Sequence, residues 1–232
     1  MKLLGLIGGV SPEATAIYYR LLNKFARERL GGEHSANLML YALDYGVMIK
    51  HYDARDWDAF NAEVEKGARR LADAGVDALI ITSNTTHVAA NAVCGAVSVP
   101  LIHMLDVLSD EMRTRGIGKP LLTGTPVVMG EAHYRSELGK RYDGEVVTPS
   151  AEEQAVIGRI ILDELVNGVV KDESRAEYLS IIDHWRGKGA DGVILGCTEL
   201  CMIIDQSHTD LPVLDTTSLH AKAASDWALE GS

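Results

Sequence analysis

Eight short apolar runs alternate with amphipathic stretches along this chain, and that rhythm constrains its fold more than any other feature. The runs are "LLGLIG" (3–8), "NLMLYAL" (37–43), "ALIITS" (78–83), "PLIHM" (100–104), "PLLTG" (120–124), "EVVTP" (145–149), "GVILGC" (192–197) and "PVLDT" (212–216). They read as strands, and most are continuously apolar rather than alternating, as expected where helices cover both faces of a parallel sheet. The stretches between them carry helical patterns. In "WDAFNAEVEKGARRLADAG", Trp57, Phe60, Val64, Ala68 and Leu71 form one stripe at three- and four-residue steps. Ser150 and Glu153 make a capping box, and Ser11-Pro12 suits a cap followed by proline at the first helical position. The class is α/β.

Two of the runs end in similar phrases. "GVDALIITSNT" (75–85) overlays "GADGVILGCTE" (189–199) at an offset of 114, placing Gly75 on Gly189, Asp77 on Asp191, Ile80 on Ile194 and Ser83 on Cys197. A fainter echo relates "LIGG" (6–9) to "LTGT" (122–125) at an offset of 116. Two echoes in the same order point to an internal duplication. The expectation is two similar doubly wound parallel-sheet domains, residues 1–98 with 211–232 and residues 99–210, related by a pseudo-twofold with the active site in the cleft between them. Ligands of open parallel sheets sit at the carboxyl ends of the strands, where Gly8, Ser83, Thr125 and Cys197 fall. Halves facing each other would bring Ser83 and Cys197 to opposite sides of one ligand. Such a layout suits taking a proton from one face of a carbon and returning one to the other, which is the work of a racemase or epimerase with no cofactor.

Charge and composition narrow the partners. A formal net charge of −11 over 232 residues disfavours nucleic acid, whose binding rests on Lys and Arg, and leaves no polybasic patch for a membrane. No stretch approaches the roughly 20 apolar residues of a membrane span, and the apolar run of "MKLLGLIGG" is too short for a signal peptide. Cys94, Cys197 and Cys201 are too few for a disulfide scaffold and lack zinc spacing. The expectation is a cytoplasmic, reduced protein with no metal.

The stretches "GLIGGVSPEATAIYYRLLN", "SNTTH", "VPLIHMLD", "LLTGT", "GADGVILGCTEL" and "PVLDTTSLHA" resemble the aspartate/glutamate racemase family over essentially the whole chain. The resemblance implies a two-domain α/β fold, no cofactor, a homodimer and two opposed cysteines, one heading a Cys-Asn-Thr-x-His phrase and one in Gly-Cys-Thr-Glu. Here Ser83 stands in place of the first cysteine, while Asn84, Thr85 and His87 remain. A thiol, with a pKa of about 8.5, can be brought into the physiological range by its surroundings; a hydroxyl needs a neighbouring base. Cys197 thus reads as a plain thiolate base and Ser83 as a donor. By the same matching, Gly8, Asn84, Thr85, Thr125, Thr198 and Glu199 are substrate-binding positions, with Asn84, Thr85, Thr198 and backbone N–H groups holding the α-carboxylate. Val128 occupies a place where the family often has Thr, and Glu199 replaces the His of glutamate racemases. His51, Arg55 and Lys171 lie in suitable segments for a side-chain carboxylate.

The implied activity is cofactor-independent racemisation of aspartate and/or glutamate. The missing first cysteine keeps open a single-cysteine decarboxylase, isomerase or hydrolase acting on a small carboxylic acid, and a paired cleft could also serve a non-catalytic binder. Plainer roles compete at each residue. Cys197 could be a small packed residue, and Ser83 a helix cap. His87 reads as structural, His103 as a core histidine, Cys94 and Cys201 as packing. Gly8-Gly9 lacks phosphate-loop spacing, and His220 lies in the final helix with no assigned role.

Overall fold

The computed structural model describes residues 1–130 and 132–230. Six strands, β1 (Leu4–Gly8), β2 (Leu38–Ala42), β3 (Ala78–Ile81), β4 (Pro120–Gly124), β5 (Gly192–Gly196) and β6 (Val213–Asp215), alternate with helices. The first five helices are α1 (Pro12–Leu30), α2 (Tyr45–Asp53), α3 (Trp57–Asp73), α4 (Ala90–Ala96) and α5 (Met104–Arg115). They are followed by α6 (Pro126–Gly130), α7 (Ala132–Gly139), α8 (Ala151–Arg159), α9 (Asp172–Gly187) and α10 (Thr216–Leu229). The chain divides into two compact units, 1–107 with 217–232 and 108–216. The junctions fall within α5 and at the start of α10, where sequence alone suggested 98/99 and 210/211.

In the first unit the strands are all parallel, in the order β2-β1-β3. "PLIHM" does not extend into a strand. Leu101 makes a single parallel bridge to Leu79, with the Leu79 N–H donating to the Pro100 carbonyl at 2.8 Å and the Ile102 N–H to the Leu79 carbonyl at 2.9 Å. The chain then turns at once into α5, whose Leu105 N–H donates to His103 Nδ1 at 3.1 Å. In the second unit the order is β4-β5-β6, again parallel. "EVVTP" behaves as "PLIHM" does: Val147 alone bridges Leu121, and Pro149, which has no N–H, cannot continue the ladder. Each unit thus has four parallel positions in one order, β2-β1-β3-Leu101 and Val147-β4-β5-β6.

The duplicated phrase also folds alike in its details. Gly75 and Gly189 both have positive φ, +83° and +88°, a conformation glycine adopts without penalty. The carboxylate of Asp77 accepts the Leu3 N–H just before β1 (2.6 Å), and that of Asp191 accepts the Gly118 and Lys119 N–H groups just before β4 (2.6 and 2.7 Å). One aspartate in each unit therefore ties the start of two neighbouring strands.

Burial follows the period of the strand. Leu4, Leu6, Ala78 and Ile80 pack against Tyr18 and Leu22 of α1 and Ala221, Ala224 and Ala228 of α10. Ile7, Leu79 and Ile81 face the other way, onto Met48, Phe60, Val64, Ala68 and Leu71 of α2 and α3. In the second unit Leu121, Val193 and Leu195 pack with Ile157, Tyr178 and Ile182. Each such aliphatic side chain contributes about 1.5–3 kcal/mol on burial. The edge strand β2 is the exception to the continuous-apolar reading, because Met39 and Leu40 remain exposed. The helix signals appear where expected. Ser11 caps α1 with Pro12 at its first position, Ser150 and Glu153 close a capping box on α8, and the buried stripe of α3 includes Phe60, Val64, Ala68 and Leu71.

Gly9 turns the chain out of β1 at φ +87°, and a Cβ there would lie 2.2 Å from the Leu43 carbonyl oxygen. Gly9→Ala is expected to lose about 3 kcal/mol or more, summing left-handed strain and overpacking against backbone. The check is a urea titration, in which an unfolding free energy lowered by less than about 1 kcal/mol would refute the packing account.

Candidate functional site

Strand β3 leads into Thr82, Ser83 and Asn84, and then a 3-10 turn over Thr85–Ala89. Thr82 is fully buried, and its hydroxyl lies 3.0 Å from that of Thr15. Thr15 Oγ1 accepts the Gly9 N–H at 2.8 Å and donates to the Ser11 carbonyl at 3.0 Å. This Thr15–Thr82 link ties the loops after β1 and β3 together. Gly8 is buried beside it, and a Cβ there would meet Thr15 Cγ2 at 2.6 Å and Leu40 at 2.8 Å, so close packing accounts for the glycine.

Ser83 is 9% exposed, and its Oγ accepts the Thr86 N–H at 3.3 Å. Its carbonyl takes a short hydrogen bond from His87 Nδ1 (2.6 Å), while His87 Nε2 accepts the Met104 N–H at 3.2 Å. The Met104 amide can only donate, so His87 is the neutral Nδ1–H tautomer. Both ring nitrogens are committed to backbone, so His87 orients the turn rather than activating the Ser83 hydroxyl. Among the described residues no side chain accepts a proton from Ser83 Oγ. Asn84 is buried and Thr85 half-buried at the head of the turn.

Behind this turn three imidazoles cluster, His103 at 4.9 Å and His220 at 5.6 Å from the His87 ring centroid. His103 is half-buried rather than a core residue. His220 is fully buried between Tyr18, whose hydroxyl bonds Nδ1 at 2.8 Å, and the Ile102 carbonyl, which Nε2 meets at 2.7 Å. Burial pushes its pKa down to about 4, so it is neutral and donates from Nε2.

In the second unit β5 leads into Cys197, extended at φ −141° and ψ 134°, and then a 3-10 turn over Thr198–Met202. Cys197 is 6% exposed. Its Sγ donates to Glu199 Oε2 at 2.9 Å, and Thr198 Oγ1 donates to the same oxygen at 2.6 Å. Burial first, and then the adjacent Glu199 carboxylate, hold the thiol well above the ordinary range. At neutral pH Cys197 is a protonated thiol, where the sequence reading made it a plain thiolate. Glu199, assigned from sequence to the substrate, uses Oε2 on two donors of its own turn. Nothing in the residue pattern announced this pairing except the Cys-x-Glu spacing directly after a strand.

Thr125, half-buried after β4, accepts the Val128 N–H at 3.4 Å. Val128 is buried with its Cγ1 close over Gly124 and Gly196, so the apolar side chain there covers two strand-end glycines. Lys171 pairs with the buried Glu164 at 3.3 Å, which also binds Arg159 at 2.9 Å. His51 is half-buried in α2, and Arg55 is exposed at φ +53°. Cys94 and Cys201, expected as packing residues, are exposed. Among the described residues no group of three His, Cys, Asp or Glu is arranged to hold a metal ion, and no helix is long and apolar enough to cross a membrane.

Two similar parallel α/β units, each presenting a small polar turn at the end of the same strand, are the architecture of a known class of racemases. The model of the Asp/Glu/Hydantoin racemase family matches residues 7–224, and the chain belongs to that family. It is therefore an enzyme of the isomerase class. Among its relatives, the broad specificity amino-acid racemase RacX of Bacillus subtilis (strain 168) is 24% identical over 225 residues, covering 95% of this chain and 96% of RacX. A Yersinia pestis protein assigned to the Asp/Glu racemases has a crystal structure that superposes with a TM-score of 0.94 at 36% identity, covering 99% of this chain and 100% of that one. PH1733, an aspartate racemase homologue from Pyrococcus horikoshii OT3, superposes with a TM-score of 0.88 at 31% identity, covering 98% and 99%.

Proposed function

We propose that this enzyme racemises α-amino acids without a cofactor, with Cys197 serving one face of Cα and Ser83 the other. One observation carries the reading. Ser83 and Cys197 occupy the same place on equivalent strands, β3 and β5, of two units with one strand order. In this reading the residues at the two strand ends act on the same substrate. Asn84, Thr85, Thr125 and Thr198, with the N–H groups of their turns, hold the α-carboxylate, and Gly8 lies in the same strand-end layer. Charge moving onto the carboxylate as the carbanion forms is met by those donors, which lowers the barrier to removing the proton. The enzyme is read as cytoplasmic from its few unpaired cysteines, and as a homodimer on the strength of the family resemblance.

Aspartate and glutamate are substrates in this reading, but not to the exclusion of neutral amino acids. The segments at the strand ends, 8–11, 42–46, 82–86, 101–103, 124–127, 147–150, 196–200 and 215–218, contain no Lys or Arg. Lys171 is already paired with Glu164. A side-chain carboxylate would depend on hydroxyls, backbone N–H groups, or Lys50 and His51 in the last turn of α2. The broad specificity of RacX supports the same view. Incubating single enantiomers of Asp, Glu, Ala and Ser in heavy water should place deuterium at Cα and generate the opposite antipode. Rates among the four are expected within about tenfold, since no dedicated ion pair, worth about 1.5–3 kcal/mol for a charged hydrogen bond, separates them. Exchange with complete retention on every substrate would end the two-sided mechanism.

A further inference from the structure

A base must be unprotonated before it can take a proton, yet both proposed acid/base groups carry hydrogen in this structure. Ser83 is a hydroxyl with no acceptor for its proton among the described residues. Cys197 is a thiol whose hydrogen points at a carboxylate 2.9 Å away. Glu199 is buried at 8% exposure, and its Oε2 is aimed between the Cys197 sulfur and the Thr198 hydroxyl. The donors are supplied by adjacent residues of one tight turn, so the contact is built into the backbone. Thr198 Oγ1, donating at 2.6 Å, pins the carboxylate in place and leaves it able to receive the sulfur's proton along an existing hydrogen bond.

We infer that Cys197 and Glu199 hold a single proton between them, and that Glu199 takes it from the sulfur when Cys197 acts as base. Glu199 is thus a positioning residue working through the thiol, rather than a contact to the substrate. In its catalytic part this rests on the racemase reading above; the shared proton does not. The step balances. The S–H bond of Cys197 breaks and an O–H bond forms on Glu199 Oε2, giving thiolate and carboxylic acid. The thiolate then removes the Cα proton and becomes a thiol again, leaving the carbanion electron pair delocalised into the α-carboxylate. Ser83 donates to the opposite face; Glu199 then releases its proton to water, and the Ser83 oxygen takes one from water. The two forms of the pair, S–H with carboxylate and thiolate with carboxylic acid, contain the same number of protons. Their ratio is therefore independent of pH.

Among the described residues the surroundings supply no competing partner. Cys201, exposed as a residue but with its sulfur turned inward from the same turn, donates to the Thr198 carbonyl at 3.0 Å, and the covering of that sulfur pushes its pKa up to about 11. Tyr178, from α9, bonds Thr123 Oγ1 at 2.6 Å, and burial holds its phenol protonated. Asp215, at the end of β6, acts on Cys201 and carries the same sign of charge as Glu199.

The test is iodoacetamide alkylation of the full chain in a Cys94→Ser/Cys201→Ser background, followed by intact mass, from about pH 6 to about pH 9. With Glu199 present, the rate at Cys197 should be flat at the lower end of that range, where reactive and resting forms share a proton count, and should rise only where the pair loses its proton. With Glu199→Gln it should rise about tenfold per pH unit, as for a thiol ionising alone. Glu199→Asp, which shortens the reach to sulfur, should restore part of the plateau and guards against a misfolded glutamine variant. In the racemase assay, Glu199→Gln should lower kcat about 100-fold with KM within about threefold, as for a proton-transfer role. A tenfold rise per pH unit at the lower end of the range with Glu199 in place would overturn the shared proton. Absence of exchange on any amino acid, with the plateau intact, would instead overturn the racemase reading.

Discussion

Cys197→Ala is expected to reduce racemisation by about 10³-fold or more, the upper part of the range for losing a positioned acid/base group. The substitution removes one sulfur atom from a buried site, and its cost to folding should be about 1–2 kcal/mol as a small cavity. Circular dichroism and thermal unfolding therefore separate catalytic loss from structural loss. Cys197→Ser is the sharper companion, because it keeps a donor toward Glu199 while replacing a thiol by a far weaker acid. If the sulfur is the base, the serine variant should be nearly as inactive as the alanine variant in chiral chromatography. Either variant retaining more than about a tenth of the activity would show that another group moves the proton.

Ser83 carries the second large effect, and here the direction of change is as informative as its size. Ser83→Ala should slow formation of the opposite antipode by about 10²-fold, while deuterium exchange with retention continues from the Cys197 face. The divergence between exchange and inversion is the signature of a lost second face. An alanine variant that inverts at the parental rate would leave Cys197 working alone, as in the single-cysteine reading. The geometry gives that reading some footing, since Ser83 Oγ accepts the Thr86 N–H and, among the described residues, has no base beside it. Ser83→Cys supplies the complement. A thiol with pKa of about 8.5 exchanges protons far more readily than a hydroxyl, so inversion should rise about tenfold, and a fall would argue that this position only caps the turn.

Much of the scaffold was legible before any coordinate. Continuous apolar runs identified β1, β3, β4 and β5 because strands covered on both faces have no polar side to advertise. The runs around Leu101 and Val147 had the same composition yet form only one bridge each. An edge position needs few residues to be satisfied, and the start of α5 and the ring of Pro149 end the pairing at once. The run of β2 is equally apolar and is partly exposed, because position in the sheet, not residue type, sets what covers a strand. The 114-residue offset in the sequence proved to be structural repetition down to Gly75 and Gly189 in the left-handed region and Asp77 and Asp191 tying strand starts.

The candidate site was readable as a list of positions but not as a set of protonation states. Residue order was enough to put Ser83 and Cys197 at the ends of like strands, since strand-end location follows from local pattern and chain direction alone. Which side chain shares a proton with which depends on distances of a few tenths of an ångström between groups brought together by backbone turns. That is why the thiol state of Cys197, the capture of Glu199 Oε2 by its own turn, and the backbone commitments of His87 and His220 came only from the tertiary structure. Local sequence decides where reactive groups are placed along the chain; the burial and hydrogen bonding that decide what charge they carry arise only when distant segments pack.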